Sequence, residues 1–287
     1  MPTIALATAV PALALDDDLP PLLDACKRAN VDASVVAWDD PTVSWSRFDA
    51  VVLRSTWDYT QRLTEFLVWC EGVCTCTQLF NPLDVVRWNT DKRYLGDLAN
   101  AGAPVVESYF LSPEHDPDAL PALNEFVVKP TVGAGSRGAR RFCADDLPAA
   151  RSHVQALLAA GQHVLVQPYL ADVDQAGETA LLFFDGEFSH AIRKGPLLRR
   201  GEEATRALFA AEHITHRIPS DTEMAAARTI LAAMPFPQPL YVRVDLLPAP
   251  DGPRLLELEL TEPSLFLAYG DGAADRFIAA LLARLRT

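Results

Sequence analysis

The segment EFVVKPTVGAGSRGARRF, residues 125–142, decides how this chain is read. Lys129 ends an apolar, strand-like run and precedes Gly133, Gly135 and Gly138. A Walker-type phosphate loop has the reverse order, with glycines first and then Lys-Ser/Thr opening a helix. No helix-starting cap follows the glycines here, and GARRFC returns to a strand-like pattern. The segment therefore predicts a strand, a flexible turn and a second strand. Glycines let successive backbone N–H groups close over an anion, and Lys129 places a fixed positive charge beside them. Taken alone, a plain hairpin explains the segment as well, so the rest of the chain must decide.

The chain has 287 residues, 49% of them hydrophobic, which is enough to build two or three lobes around real cores. Its net charge is −13 and no basic stripe runs along it, which argues against a nucleic-acid partner. Acidity does not exclude an anionic cofactor, because local lysines and a divalent cation reverse the field at one site. Five cysteines show no framework spacing, so a reducing, cytoplasmic setting is expected. Cys70, Cys74 and Cys76 cluster, but no histidine is near enough in sequence to complete a zinc set, and ordinary packing is the expectation. No apolar run reaches membrane length. MPTIALATAVPALAL imitates a signal peptide but lacks a basic start, and Asp16, Asp17 and Asp18 follow at once, so it reads as a strand and loop. A homo-oligomer remains open.

Strands in TIALATA, DASVVAWDD and FDAVVLRST alternate with helices in DDLPPLLDACKRAN and TQRLTEFLVWCEGV. In the second helix Leu63, Phe66, Leu67 and Cys70 share a face. This rhythm predicts an α/β lobe with a mostly parallel sheet over residues 1–90. RSTWDY, residues 54–59, lies at the C-terminal end of a strand, where such sheets bind ligands. NTDKRYLGDLANAGAP predicts a helix capped by Asn89 or Thr90, with Lys92 near its start. Strands are expected in VVESYFL, EFVVKP, GARRFC and HVLVQPYL, and a capped helix in DDLPAARSHVQALLAAG. ETALLFFDGEFSHAIRK predicts a hairpin turning at Asp185-Gly186. Residues 197–222 are expected to be a long loop, followed by a helix near 221–234 and a closing helix from 271.

The most specific feature is YVRVDLLPAPDGPRLLELELTEPSLF, residues 241–266. If its two strands pair about Asp251, Asp245 lies opposite Glu257 and Arg243 opposite Glu259, all on one face. Opposed carboxylates cost a sheet up to about 1 kcal/mol. Leu and Val fill the other face, so the acids call for cations. Arg243 is one source and Mg²⁺, which prefers oxygen ligands and accompanies nucleotide phosphates, is another. A solvated amphipathic hairpin is the alternative.

Together these segments resemble the ATP-grasp superfamily across nearly the whole chain. LRSTWDY, RWNTDKRYLGDL, FSHAIRKGP and ELTEPSLF narrow the likeness to its glutathione-synthetase-like branch, which includes a cyclo-ligase closing O-ureido-D-serine into D-cycloserine. The resemblance implies an α/β fold with α+β lobes: residues 1–90 ahead of the ATP-grasp core, 91–170 a central lobe with a small lid, and 171–287 a C-terminal lobe with the metal site. It implies ATP and Mg²⁺ as cofactors, and a carboxylate–amine ligase acting through an acyl phosphate on a small amino-acid derivative. Lys92, Lys129 and Ser136 would contact phosphates. Gln167, Tyr169 and Leu170 would frame the adenine, and Asp174 would meet the ribose. Asp245, Glu257 and Glu259 would hold Mg²⁺, although the family usually has Glu-x-Asn where this chain has Glu257-Leu-Glu259. Glu178 and Arg193 would line the reaction centre with Lys129. Arg54 is the candidate for the substrate carboxylate, Ser55, Trp57, Asp58 and Tyr59 for its amine and flank, and Ser264 for a further contact. For Trp57, Tyr59 and Asp58, packing and helix capping are the alternatives, and for His190 the choice is between core packing and proton handling. An intermolecular amino-acid ligase and a non-catalytic nucleotide-binding regulator are the rival functions.

Overall fold

The computed structural model describes residues 1–116, 120–196, 198 and 213–286. Strands β1 (Thr3–Thr8), β2 (Asp32–Ala37), β3 (Ala50–Leu53) and β4 (Gln78–Phe80) form a parallel sheet in the order β2-β1-β3-β4. Its strands are apolar on both faces because both faces are covered. Ile4 and Leu6 pack with Leu22 of α1 (Leu19–Arg28), while Ala5 and Ala7 pack with Phe66 and Cys70 of α2 (Leu63–Cys74). Helices α3 (Leu83–Asn89) and α4 (Tyr94–Asn100) lead out of this sheet.

The second sheet is antiparallel, in the order β5-β8-β6-β7, from β5 (Tyr109–Leu111), β6 (Glu125–Pro130), β7 (Arg140–Cys143) and β8 (Val164–Pro168). Helix α5 (Leu147–Ala159) covers it through Ala150, Val154 and Leu158. The opening segment is the expected strand–turn–strand hairpin, with Val128 opposite Arg140. Positive φ at Gly135 and Gly138 is what its turn demands, and a Cβ on Gly138 would approach Pro130 to 3.1 Å.

A short helix α6 (Val173–Ala176) leads to the third sheet. It comprises β9 (Glu178–Phe184), β10 (Glu187–Lys194), β11 (Ile214–Arg217), β12 (Tyr241–Leu247) and β13 (Arg254–Glu259), in the order β11-β10-β9-β12-β13. Helix α7 (Asp221–Ala232) packs on it, and α8 (Ala273–Leu285) joins it to the parallel sheet: Phe277 and Ile278 share one core with Leu6, Phe184 and Tyr241. Asp185 and Gly186 both have positive φ, as the expected hairpin turn requires.

Three local expectations change. Asn89 and Thr90 end α3 rather than cap the next helix, whose first residue is Tyr94. The Asn89 amide instead donates to the Leu258 carbonyl at 2.7 Å and accepts from Leu260 N at 2.8 Å, so a good capping side chain is used to clamp β13. Asp18 and Asp146 precede α1 and α5 without capping them. Asp18 accepts from Leu265 N and Leu267 N across the fold. Part of the expected 197–222 loop, residues 197 and 199–212, lies outside the described residues, but Ile214–Arg217 forms β11 and Ser220 caps α7 in a reciprocal box with Glu223.

Candidate active site

Sheet register assembles the charged face. On β12 and β13, Arg243 pairs with Glu259 and Asp245 with Glu257, the register expected from the sequence. β9 lies on the other side of β12 and sets Ala180 opposite Asp245, which puts Glu178 two residues away on the same face. β10 then sets Lys194 opposite Glu178. Five charged side chains from four strands thus meet Glu259 on one surface.

The contacts are dense. Lys194 Nζ lies 2.8 Å from Asp245 Oδ2 and also pairs with Glu178. Arg243 donates from Nε to Asp245 Oδ1 at 2.9 Å and from Nη2 to Glu259. Lys92 Nζ is 2.8 Å from Glu257 Oε1 and donates to the Gly133 carbonyl at 2.6 Å, while its own backbone N–H donates to Thr131 O. One lysine therefore ties the glycine turn to the acidic face. The side chain of Lys129, half-buried on β6, makes no hydrogen bond or ion pair among the described residues.

Burial and charge set the ionisation. Burial would raise Asp245, but Arg243 and Lys194 hold its carboxyl well below the usual range. Burial would also raise Glu257, and Lys92 with Lys129 brings it down. Burial pushes Glu259 up to about 7 against the pull of Arg243, with Asp245 and Glu257 adding to the rise. Lys129 is pushed down to about 8 by burial, only partly offset by Glu257. Glu262 is pushed up to about 8 by burial, helped by Glu259.

These groups face a cavity of about 470 Å³ whose wall includes Lys92, Gly133–Ser136, Glu178, Lys194, Arg243, Asp245, Glu257 and Glu259. Ser136, in the left-handed region at φ 59°, is in this wall, as are Trp57, Tyr59 and Ser264. Trp57 Nε1 donates to the Glu262 carbonyl at 3.1 Å and Tyr59 packs on Phe66, so both side chains pack and line the cleft at once.

Other expected residues stand elsewhere. Arg54 is wholly buried, paired with Asp18 at 3.3 Å and donating to Pro263 O, so it does not present its charge to a ligand carboxylate. Ser55 bonds Thr8, and Asp58 accepts from Trp38 Nε1 at 2.9 Å, away from the cleft and without capping the next helix. Arg193 pairs opposite Thr179 on the reverse face of β10, and its guanidinium donates to the Gln175 and Ala176 carbonyls. His190 is a core histidine: Nε2 donates to Leu265 O at 2.9 Å, and burial lowers its basicity.

Along β8 and the loop after it, Gln167 Nε2 donates to Ser108 Oγ while its buried Oε1 has no partner among the described residues. Leu170 packs near Val106 and Val173. Tyr169 bonds Asp174, and Arg141 covers the Tyr169 ring at 3.4 Å while also reaching Asp174 at 3.3 Å. Asp174 is thus held by two side chains of this loop region.

Sequence reading missed Lys194, Asp16 and Glu262 as cleft residues. Lys194 adjoins Arg193, and only the register of β10 against β9 says which basic residue faces inward.

The donor set on the acidic face is all oxygen, as Mg²⁺ prefers. Glu257 and Glu259 each keep one oxygen beyond their ion pairs. Asp245 has both oxygens committed to Arg243 and Lys194. Among the described residues no three acidic, His or Cys side chains already form a closed ligand group. The chemistry fits a divalent ion at Glu257 and Glu259, with Asp245 as the third acid.

A parallel N-terminal sheet followed by two antiparallel sheets, with the lysine-and-glycine hairpin facing an acidic strand pair, defines an ATP-grasp ligase. Residues 4–81 match the family described as D-cycloserine synthetase DcsG, N-terminal domain. The chain is 43% identical to the cycloserine biosynthesis protein DcsG of Streptomyces lavendulae over 100% of both chains. It superposes on the crystal structure of D-cycloserine synthetase DcsG with a TM-score of 0.92, at 41% identity and 99% coverage of each. The chain belongs to the DcsG family. The ATP-grasp ligase PsnB, solved with a minimal precursor, Mg and ADP, shares the fold at a TM-score of 0.62, 19% identity, and coverage of 99% of this chain and 98% of that one.

No helix among the described residues is long and apolar enough to cross a membrane.

Proposed function

We propose that the chain is an ATP-dependent carboxylate–amine ligase of cycloserine biosynthesis that closes O-ureido-D-serine into D-cycloserine. The observation that carries this reading is Lys92, which bridges the Gly133 carbonyl of the turn and Glu257 of the acidic face, so that one triphosphate would span both. The full-length likeness to a cycloserine biosynthesis protein supports the substrate class.

In this reading ATP supplies the phosphoryl group and Mg²⁺, at Glu257 and Glu259 with Asp245, offsets phosphate charge. Lys92 and Lys129 neutralise and align the phosphates, and Ser136 with the glycine-turn backbone covers them. Gln167, Tyr169 and Leu170 frame the adenine, and the unpaired Gln167 Oε1 is a ready acceptor. Asp174 reaches the ribose only if Arg141 shares it. The substrate carboxylate attacks the γ-phosphate, giving an acyl phosphate and ADP. The oxygen-bound nitrogen of the ureido group then attacks the acyl carbon and phosphate leaves, and water removes the carbamoyl group from that nitrogen as CO₂ and NH₃. Lys194 and Arg243 supply the positive charge that was expected of Arg193 and keep Asp245 and Glu178 in place. Closing the turn over the cleft excludes water from the acyl phosphate. Because nucleophile and electrophile share one molecule, their effective concentration is high.

The test is ADP release with O-ureido-D-serine as sole substrate, followed by detection of D-cycloserine. ADP release that requires a second amine would instead establish an intermolecular ligase.

A further inference from the structure

The wall of the cleft on the N-terminal side has a charge opposite to what the sequence suggested. Arg54, expected to greet a carboxylate, is sealed at 0% exposure. In front of it stands Asp16, from the loop after β1, which lines the cavity. Its side chain is 2% exposed. Oδ1 accepts from Asp18 N at 3.0 Å and lies 4.0 Å from Arg54 Nη2. Oδ2 is buried with no partner among the described residues. The Arg54 guanidinium is closer to Asp18, at 3.3 Å, and also donates to Pro263 O, so its charge is largely spent elsewhere. Glu262, next to Pro263, lines the same cavity; its own backbone N–H bonds its carboxyl, which makes no ion pair among the described residues.

A buried carboxylate oxygen without a donor, on a residue that lines a cavity, costs free energy unless a ligand satisfies it. The other acids of the cleft have cations: Lys194 serves Glu178 and Asp245, Arg243 serves Asp245 and Glu259, and Lys92 serves Glu257. Asp16 stands beside Arg54, and neither it nor Glu262 makes an ion pair with Lys194, Arg243 or Lys92 among the described residues. What this wall lacks is a compact, multi-donor cation.

We propose that Asp16 is the specificity residue that receives the ammonium group of the amino-acid substrate, with Glu262 beside it. The inference rests on the ligase reading above and adds the orientation of its substrate. An ammonium has three donors and no acceptor, so it satisfies Asp16 Oδ2 and reaches a second oxygen of the wall. Held there, the α-nitrogen is kept protonated and cannot act as the nucleophile, which leaves the carboxylate free to face Lys194, Arg243 and the phosphates. The Asp16 carboxylate also repels a ligand that presents its carboxylate in the reverse orientation.

The test uses the full-length protein and Asp16→Asn, which keeps shape and the Oδ1 acceptor while removing charge. Thermal unfolding and ATP binding check that D16N is folded. With O-ureido-D-serine, KM should rise about 10- to 100-fold, the worth of a charge-assisted hydrogen bond, with the KM for ATP unchanged. The analogue lacking the α-amino group should bind wild type and D16N equally. Glu262→Gln should weaken the amine-bearing substrate but not the deamino analogue. If wild type releases no ADP with O-ureido-D-serine, the proposed reaction fails. The inference is then read on binding of D-serine against 3-hydroxypropanoate: a preference for D-serine that D16N abolishes upholds it. A D16N that keeps wild-type KM, or a wild type with no preference for the ammonium-bearing ligand, overturns it.

Discussion

Lys194 Nζ stands 2.8 Å from Asp245 Oδ2 across the intervening strand β9, and the same ammonium pairs with Glu178. One buried cation therefore serves two buried acids. Lys194→Met leaves both short of charge, and removing one partner of a buried pair costs about 3–5 kcal/mol. Urea unfolding should show a loss of this size, with part recovered in the K194M/E178Q double variant. A K194M protein as stable as wild type would show that the pairing contributes nothing.

Lys129 is held down to about 8 by burial. A charged lysine is required to meet phosphate, so the KM for ATP should rise as pH climbs through about 8. Steady-state ADP release from pH 6.5 to 9.5 measures this. Lys129→Met should reduce kcat/KM by about 10²–10³-fold, the scale for losing one preorganised charge-stabilising group, and should remove the pH effect on ATP binding.

Glu262 has a folded pKa pushed up from 4.5 to about 8 by burial. The folded chain therefore holds a proton that the unfolded chain releases. The stabilisation from this group is fully present below about pH 4.5 and fades as pH rises through about 8, by at most about 1.4 kcal/mol per pH unit. Chemical unfolding at pH 5.5, 7 and 8.5 should show stability falling, and Glu262→Gln should flatten the slope. An identical slope in E262Q would remove Glu262 as its source.

The Tyr241 hydroxyl is within hydrogen-bonding distance of the Leu53, Phe80 and Thr261 carbonyls and accepts from Asn81 N at 3.1 Å. It joins the parallel sheet to the third sheet at a fully buried point. Tyr241→Phe should cost about 1–3 kcal/mol, since the partners stay buried and unsatisfied. The midpoint of urea unfolding reads this directly.

Gly270 packs against His190 so closely that a Cβ would lie 2.6 Å from the imidazole Cγ. Gly270→Ala must therefore displace a histidine already fixed to Leu265 O, costing about 1–3 kcal/mol. A Tm equal to wild type would mean the loop moves freely.

Much of this was legible locally. The Asp185-Gly186 turn follows from backbone angles available to those two residues, and the Asp245–Glu257 pairing follows from period-two alternation about a short Pro/Asp/Gly loop. The order of Lys129 and its glycines excluded a Walker loop because β6 and β7 must pair across the turn.

What the sequence by itself determined was therefore the nearest-neighbour structure: strands, turns, the lysine-and-glycine hairpin and the facing acids. Only the tertiary structure decided that Lys194 rather than Arg193 enters the cleft, that Arg54 is buried, that Asn89 clamps β13 and that Asp16 faces the cavity. Side-chain alternation names two faces of a strand but not which one meets the site. That choice comes from pairing with strands far away in the chain, and a charge is sealed or exposed by elements that pack over it from elsewhere.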